Sequence, residues 1–261
     1  MKILFTICGR AGSKGLKNKN IKQFLGFPLP FYTISVIQLY ISSNPEHEYD
    51  IVLNTDSNDL IKLFHDNLNI KFDVIDRKIN LAQDNTPKVA VVWNCLEVME
   101  SRTNKKYDII VDLDITSPIR TVDDLANLIS KKSSCNSDVV FSVTDSRRNP
   151  YFNMVMKVNN KYTRVIESSF NSRQEAPEIF DMNASLYAYS PSFLESGKGI
   201  FEGNCDIIKM IDSAVLDIDH ENDFELMQVI AEYIYKKYPK YGQIRDNISN
   251  CLIRFNKEID T

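Results

Sequence analysis

Acidic residues are missing from the first 45 positions of this 261-residue chain, although Asp and Glu number 35 in all. The same stretch holds Lys2, Arg10, Lys14, Lys17, Lys19 and Lys22, five of them between positions 10 and 22. A local cationic zone in a chain of net charge −4 suits a small anionic ligand. A nucleic acid would require a broad basic face, so no such partner is expected. A solvated basic loop is the plain alternative. Long apolar runs are also lacking: none approaches the roughly 20 residues of a membrane helix, and no membrane partner is expected. Met1 to Cys8 is too short for a signal peptide and runs into glycines, so the expected location is the cytoplasm. The five cysteines, Cys8, Cys95, Cys135, Cys205 and Cys251, are odd in number and scattered, which argues against a disulfide framework or a zinc site. Of only three histidines, His47 and His65 read as surface residues, and His220 adjoins an acidic cluster. With 43% hydrophobic and 25% charged residues the chain is neither disordered nor fibrous.

What is present alternates. Ile3 to Ile7 reads as a strand, followed by a Gly/Lys/Asn loop and a helix from about Pro30 to Ser42. Further strands are expected at Ile51 to Asn54, Lys71 to Ile75, Tyr107 to Leu113 and Asp138 to Val143. Intervening helices are opened by Asp56 or Ser57, by Thr86-Pro87 and by a capping-box-like Thr121-Val122-Asp123-Asp124. This implies an α/β fold with a mostly parallel sheet and helices on both faces. Past Ser146 the pattern weakens into an excursion with short strands at Met154 to Val158 and Tyr162 to Ile166. Strands at Ala184 to Tyr189 and Ala214 to Ile218 and a helix from Asn222 to Lys237 then follow. The last twenty or so residues carry no readable pattern.

Three of only eight glycines lie in Gly9-Arg10-Ala11-Gly12-Ser13-Lys14-Gly15, directly after the first strand. Amides in such a loop can form an anion-binding nest, with Arg10 and Lys14 adding charge. A tight turn would explain the glycines but not the cations that follow. Asp112 and Asp114 follow the most apolar strand at the end where open α/β sheets bind ligands, and fit either Mg2+ or a cap. Asp217 and Asp219, read as ending a strand, would share one face; a cap at Asp219 accounts for only one of them.

Gly12-Ser13-Lys14-Gly15 with Asn18-Lys19-Asn20-Ile21 resembles the opening signature of the acylneuraminate cytidylyltransferases, which make CMP-activated sialic acids and related nine-carbon 2-keto sugars. The resemblance extends through five ordered motifs from residue 3 to about 230. It implies a doubly wound, mostly parallel nucleotidyltransferase fold of the GT-A-like Rossmann type. The chain would be one domain over 1–261, with a dimerisation excursion at 146–184. It further implies transfer of the cytidylyl group from CTP to the sugar with release of pyrophosphate, Mg2+ as cofactor, and a homodimer. By position, Arg10, Gly12, Ser13, Lys14, Lys19, Asn20 and Arg77 would bind the nucleotide. Asp114, Thr116, Ser117, Arg173 and Tyr187 would lie at the sugar, with Arg173 reaching over from the partner, and Asp217 and Asp219 would hold the metal. Arg10, Lys19 and Asp217 would carry catalysis. Tyr187 reads equally as a core aromatic, and Asp84 or Thr86 equally as helix caps.

The chain departs from the family pattern at several places. Ala11 replaces a glycine, Asp114 a Gln, Ile115 a Pro, Ala184 a glycine, Lys88 a common Ser and Phe152 a sugar-side lysine. Asp114, Ile115 and Phe152 lean away from N-acetylneuraminate toward legionaminic acid or another di-N-acylated or amino form, while Lys88 implies that base recognition differs in detail. Asp114 would then meet an amino or amido substituent, join the metal shell or act as general base. Two other classes stay open: a glycosyltransferase using Asp112-x-Asp114, and a non-catalytic nucleotide-binding protein.

Overall fold

The computed structural model describes residues 1–12, 15–172, 174–215, 218 and 220–253. Strand β1 (Lys2–Cys8) turns Ile3, Phe5 and Ile7 to one side and Leu4 to the other, so it has a core on each face. A short hairpin, β2 (Gln23–Phe24) and β3 (Phe27–Pro28), leads into helix α1 (Leu29–Ser43). Two βα steps follow: β4 (Glu48–Thr55) with α2 (Asn58–Asn67), then β5 (Asp73–Asp76) with α3 (Lys88–Thr103). Next come β6 (Ile109–Leu113), α4 (Val122–Ser134) and β7 (Val139–Asp145). The chain then leaves the sheet for the hairpin β8 (Val155–Val158) and β9 (Lys161–Arg164) and returns as β10 (Phe180–Tyr189). It closes with α5 (Pro191–Glu195), β11 (Cys205–Lys209), α6 (Glu221–Lys237) and α7 (Pro239–Cys251).

Seven strands form one sheet in the order β11-β7-β10-β6-β1-β4-β5. Every pairing is parallel except those of β10, which runs antiparallel to both β6 and β7. Helices α1, α2, α4, α6 and α7 contribute to the core on one face, and α3 and α5 to the core on the other, as the alternation implied. The chain moves outward from β1 through β4 and β5, then crosses to β6 on the other side of β1. That reversal opens a crevice at the carboxyl ends of β1 and β6. The glycine-rich loop and the segment after Leu113 are the two loops that flank it.

Ser57 caps α2 by accepting from Leu60 N at 3.3 Å, and the Thr121–Asp124 capping box opens α4, both as expected. Thr86 does not cap α3: Pro87 holds the cap position, while Thr86 Oγ1 donates to Asn80 O at 3.2 Å. The described residues of the Ala214 to Ile218 span show no strand. Asp212–Val215 is a 3-10 turn, and the edge position beside β7 belongs to β11, a five-residue strand the sequence reading passed over. Asp217 and Asp219, read as sharing a strand face, lie outside the described residues. The unread C-terminal stretch forms α7, held to α1 by Ser35 Oγ donating to Ile244 O at 2.6 Å and Asn247 Nδ2 donating to Gln38 Oε1 at 2.9 Å.

Candidate active site

A cleft of about 500 Å3 opens at this crevice. One wall comes from the loop after β1, with Arg10, Gly15, Leu16, Lys19 and Asn20. The facing residues come from the strand ends and from the run after β5: Arg77, Gln83, Asp84, Lys88, Asp114 and Thr116. His220 completes the lining.

The loop is pinned at several points. Gly9 N donates to Asn54 O at 3.2 Å, Ala11 N to Asp56 Oδ1 at 2.6 Å, and Asn20 Nδ2 to Arg10 O at 3.0 Å. Gly9 sits in close quarters, since a Cβ there would lie 2.8 Å from Ile115 Cδ1 and 2.9 Å from Leu60 Cδ2 and push those side-chain ends aside. The left-handed backbone falls on Gly12, with φ +74°, whereas Ala11 needs no positive φ. The alanine is thus accommodated where the family has glycine. Gly12 lines a smaller recess beside the cleft that shares Arg10, Lys19 and Asn20 with it. Ser13 and Lys14 lie outside the described residues.

Arg10 Nη2 forms an ion pair with Asp84 Oδ1 at 2.6 Å, so the carboxylate foreseen as a possible cap instead anchors the loop's guanidinium across the cleft. Lys19 Nζ donates to Ile218 O at 2.5 Å. That contact brings the segment between Asp217 and Asp219 against the cationic wall, although both aspartates, like Arg173, lie outside the described residues. Arg77 is almost wholly buried, with Nε donating to Asn54 Oδ1 at 2.7 Å and Nη2 to Asn54 O at 2.8 Å. Its guanidinium is therefore held rigidly at the cleft edge.

The clearest difference from the sequence reading is at Asp112 and Asp114. Asp112 is fully buried and accepts from Thr6 Oγ1 at 2.8 Å. Lys88, from the first turn of α3, sets Nζ 2.7 Å from Asp112 Oδ2 and 2.8 Å from Asp114 Oδ2. The ammonium thus stands between the two carboxylates, where a bridging divalent cation would have to sit. Asp114 Oδ1 accepts from Thr116 N at 2.8 Å and Thr116 Oγ1 at 2.7 Å. Burial alone would raise the Asp114 carboxyl, but the Lys88 charge and the hydrogen bonds from Lys88 and Thr116 hold it well below the usual carboxylate range. Both Asp114 oxygens are thus engaged by Lys88 and Thr116, and both carboxylates of the Asp-x-Asp pair are met by Lys88.

Arg120, fully buried, ties the segment down by donating to Thr33 Oγ1 at 2.9 Å, to Ser185 O at 3.0 Å and to Asp114 O. Burial lowers its guanidinium to about 10, offset in part by Asp114 and Asp112, so it stays charged at neutral pH. Thr116 lines the cleft; Ser117 is buried and does not. Tyr187 also does not line it: the ring is buried and stacked on Tyr189 at 5.9 Å and 6°, with Lys88 Nζ 5.8 Å from its centroid. The core-aromatic reading of Tyr187 accounts for its position. Cys8 lines the cleft, and its thiol is held well above the usual range, first by a hydrogen bond with the Cys95 thiol and then by burial.

Sequence reasoning noted Lys88 only as a departure from a common Ser and missed its place between Asp112 and Asp114. Two carboxylates two residues apart at the end of a buried strand require a counter-charge, and that requirement was the available signal.

The family described as Cytidylyltransferase matches residues 4–236. The chain belongs to that family. Among curated relatives, this cytidylyltransferase is 32% identical to post-translational flagellin modification protein B of Campylobacter coli, over 88% of this chain and 95% of that one. It is 33% identical to the CMP-N,N'-diacetyllegionaminic acid synthase of Campylobacter jejuni subsp. jejuni serotype O:2, over 87% and 94% respectively. In fold it is similar to a CMP:2-keto-3-deoxy-manno-octonic acid synthetase solved with CTP. The TM-score is 0.63 at 14% identity, covering 89% of this chain and 99% of that one. The doubly wound expectation is borne out.

Proposed function

We propose that the protein joins CTP to a nine-carbon 2-keto sugar acid of the legionaminic type, giving the CMP-sugar and pyrophosphate for surface glycan synthesis. The observation that carries this is the cleft itself. A cationic loop bearing Arg10 and Lys19 faces a polar wall across the switch point of a cytidylyltransferase fold. The relative named as a CMP-N,N'-diacetyllegionaminic acid synthase supports the sugar class.

In this reading the amides around Gly12, with Ser13 and Lys14, cradle the triphosphate. Arg10 and Lys19 offset charge on the departing pyrophosphate, and Asn20 and Arg77 position the nucleotide. The sugar's anomeric C2 hydroxyl attacks the α-phosphorus in line, the bond to the β,γ-diphosphate breaks, and the hydroxyl proton leaves. Asp114 is tied to Lys88 and Thr116, so Asp217 is the carboxylate proposed to take that proton. Two hard carboxylates, Asp217 and Asp219, suit Mg2+, which when bound supplies charge neutralisation at the phosphates. A homodimer formed through residues 146–184, with Arg173 of the partner subunit at the sugar carboxylate, completes the reading. The cytoplasm, where nucleoside triphosphates are available, is its place of action.

The test is pyrophosphate release from CTP or UTP against a panel of nonulosonic acids with Mg2+. Release is expected only with CTP and an acid together; silence across the panel overturns the proposal. Asp217→Asn is expected to lower turnover about 100-fold, equivalent to about 2.7 kcal/mol. Unchanged turnover in that variant would remove Asp217 from the catalytic assignment.

A further inference from the structure

We propose that Lys88 reads an acylamido carbonyl on the sugar, donating its remaining ammonium hydrogen to that oxygen, and so selects N-acylated acids over their hydroxyl counterparts. This rests on the function proposed above and assigns a residue to its sugar specificity.

The argument starts from donor and acceptor counting. A lysine ammonium has three hydrogens and accepts nothing. Two are directed to oxygens by the 2.7 Å and 2.8 Å approaches to Asp112 and Asp114. The third has no oxygen acceptor among the described residues, and the side chain, 30% exposed, lines the cleft. An ammonium so placed donates either to water or to whatever fills the cleft.

Local charge decides what it can select. Asp112 and Asp114 contribute two negative charges, met by Lys88 and by the buried Arg120, which lies within electrostatic reach of both. These four charges cancel, so the cluster offers little field to attract an anion. The sugar carboxylate and the phosphates gain far more at the net-positive loop wall bearing Arg10 and Lys19. What Lys88 retains is a directed, polarised hydrogen bond, suited to an uncharged acceptor. Asp114, accepting from Thr116 N, Thr116 Oγ1 and Lys88, is largely saturated. The cluster therefore presents one free donor hydrogen, that of Lys88, and a group that only accepts matches it better than a hydroxyl, which also has a hydrogen to place. An amide carbonyl is such a group. Asp112, Asp114 and Arg120 fix the position of Nζ, and that rigidity turns a flexible side chain into a selective one.

The experiment compares two acids identical except for an acylamido or a hydroxyl group at one ring carbon, measuring kcat/KM for each and KM for CTP. Wild-type enzyme is expected to favour the acylamido acid by about 100-fold. The double variant Lys88→Met/Asp112→Asn removes one charge of each sign, and the new amide can still accept from Thr6. It is expected to bring the preference below about 5-fold, with KM for CTP within about twofold. If that variant does not fold, Lys88→Arg keeps the charge but moves the donor, and is expected to lower the preference at least tenfold. An unchanged preference, or a loss confined to KM for CTP, which would place Lys88 on the nucleotide, overturns the inference while leaving the enzymatic reading intact. Wild-type silence with every acid overturns both.

Discussion

Lys88 and Asp114 show how a site can be charged yet insensitive to pH. Burial pushes the Lys88 ammonium down, but Asp112 and Asp114 outweigh it and hold its pKa well above the usual lysine value. The Asp114 carboxyl moves the other way, below its usual range. Its stabilising effect is complete above the unfolded value of about 3.9 and is lost as pH falls through the lower folded value. The effect of Lys88 is complete below about 10.4 and is lost only as pH rises through its higher folded value. Neither titrates near neutrality. The change in Tm caused by Asp114→Asn is therefore expected to hold steady from about pH 5 to about pH 9, then to shift in the variant's favour below about pH 4. Thermal unfolding across pH checks this. A titration of the difference near pH 6 or 7 would show that the carboxylate is not held as the geometry implies.

At the scale of elements, β10 carries the least comfortable backbone near the site. Its register against β7 shifts between Met182 and Tyr187, and Ala184, inside the shift, has φ +50°. A left-handed alanine costs about 1–2 kcal/mol, part of which glycine gives back through its greater unfolded-state freedom. Ala184→Gly is expected to raise stability by about 0.5–1 kcal/mol, read as a higher urea midpoint with an unchanged slope. A lower midpoint would mean that the alanine methyl packs well enough to outweigh the strain. The departure from a family glycine was visible in the sequence; that it falls on a strained bulge was not, because strand register is a long-range property. The same division holds elsewhere. Strand β1, the Ser57 cap of α2 and the capping box of α4 were legible, since each is written in a few neighbouring residues. Strand β11 was not, because its five residues become a strand only by pairing with β7. In the site, the acid-free run announced the cationic wall. The place of Lys88 stayed hidden because the residue lies 26 positions from Asp114, and only the docking of α3 beside β6 brings them together.

At the scale of the whole molecule, the excursion between β7 and β10 carries an exposed hairpin. Its hairpin turns at Asn159 and Asn160, with φ of 50° and 60°, the left-handed pair of a two-residue turn. Val165 N donates to Met154 O at 3.1 Å and Ile166 N to Pro150 O at 3.0 Å, so the hairpin is anchored at its base. Beyond that it presents apolar side chains to solvent: Val155 is 67% and Tyr162 73% exposed, joined by Met156 and Val158. A two-stranded hairpin is only marginally stable alone, and an apolar cluster on one is commonly covered by a partner. A second copy of this chain is the partner expected here, and it would also bring Arg173 of the partner subunit toward the sugar. Sedimentation equilibrium at micromolar concentration is expected to give the mass of two chains. Val155→Asp/Tyr162→Asp is expected to give one, with the urea midpoint of the monomer little changed because neither side chain belongs to the core. If Arg173 acts across the interface, that monomer should lose kcat/KM for the sugar acid while its affinity for CTP survives, since the nucleotide wall is built within one chain. A wild-type monomer with full activity would remove both the dimer and the role of Arg173.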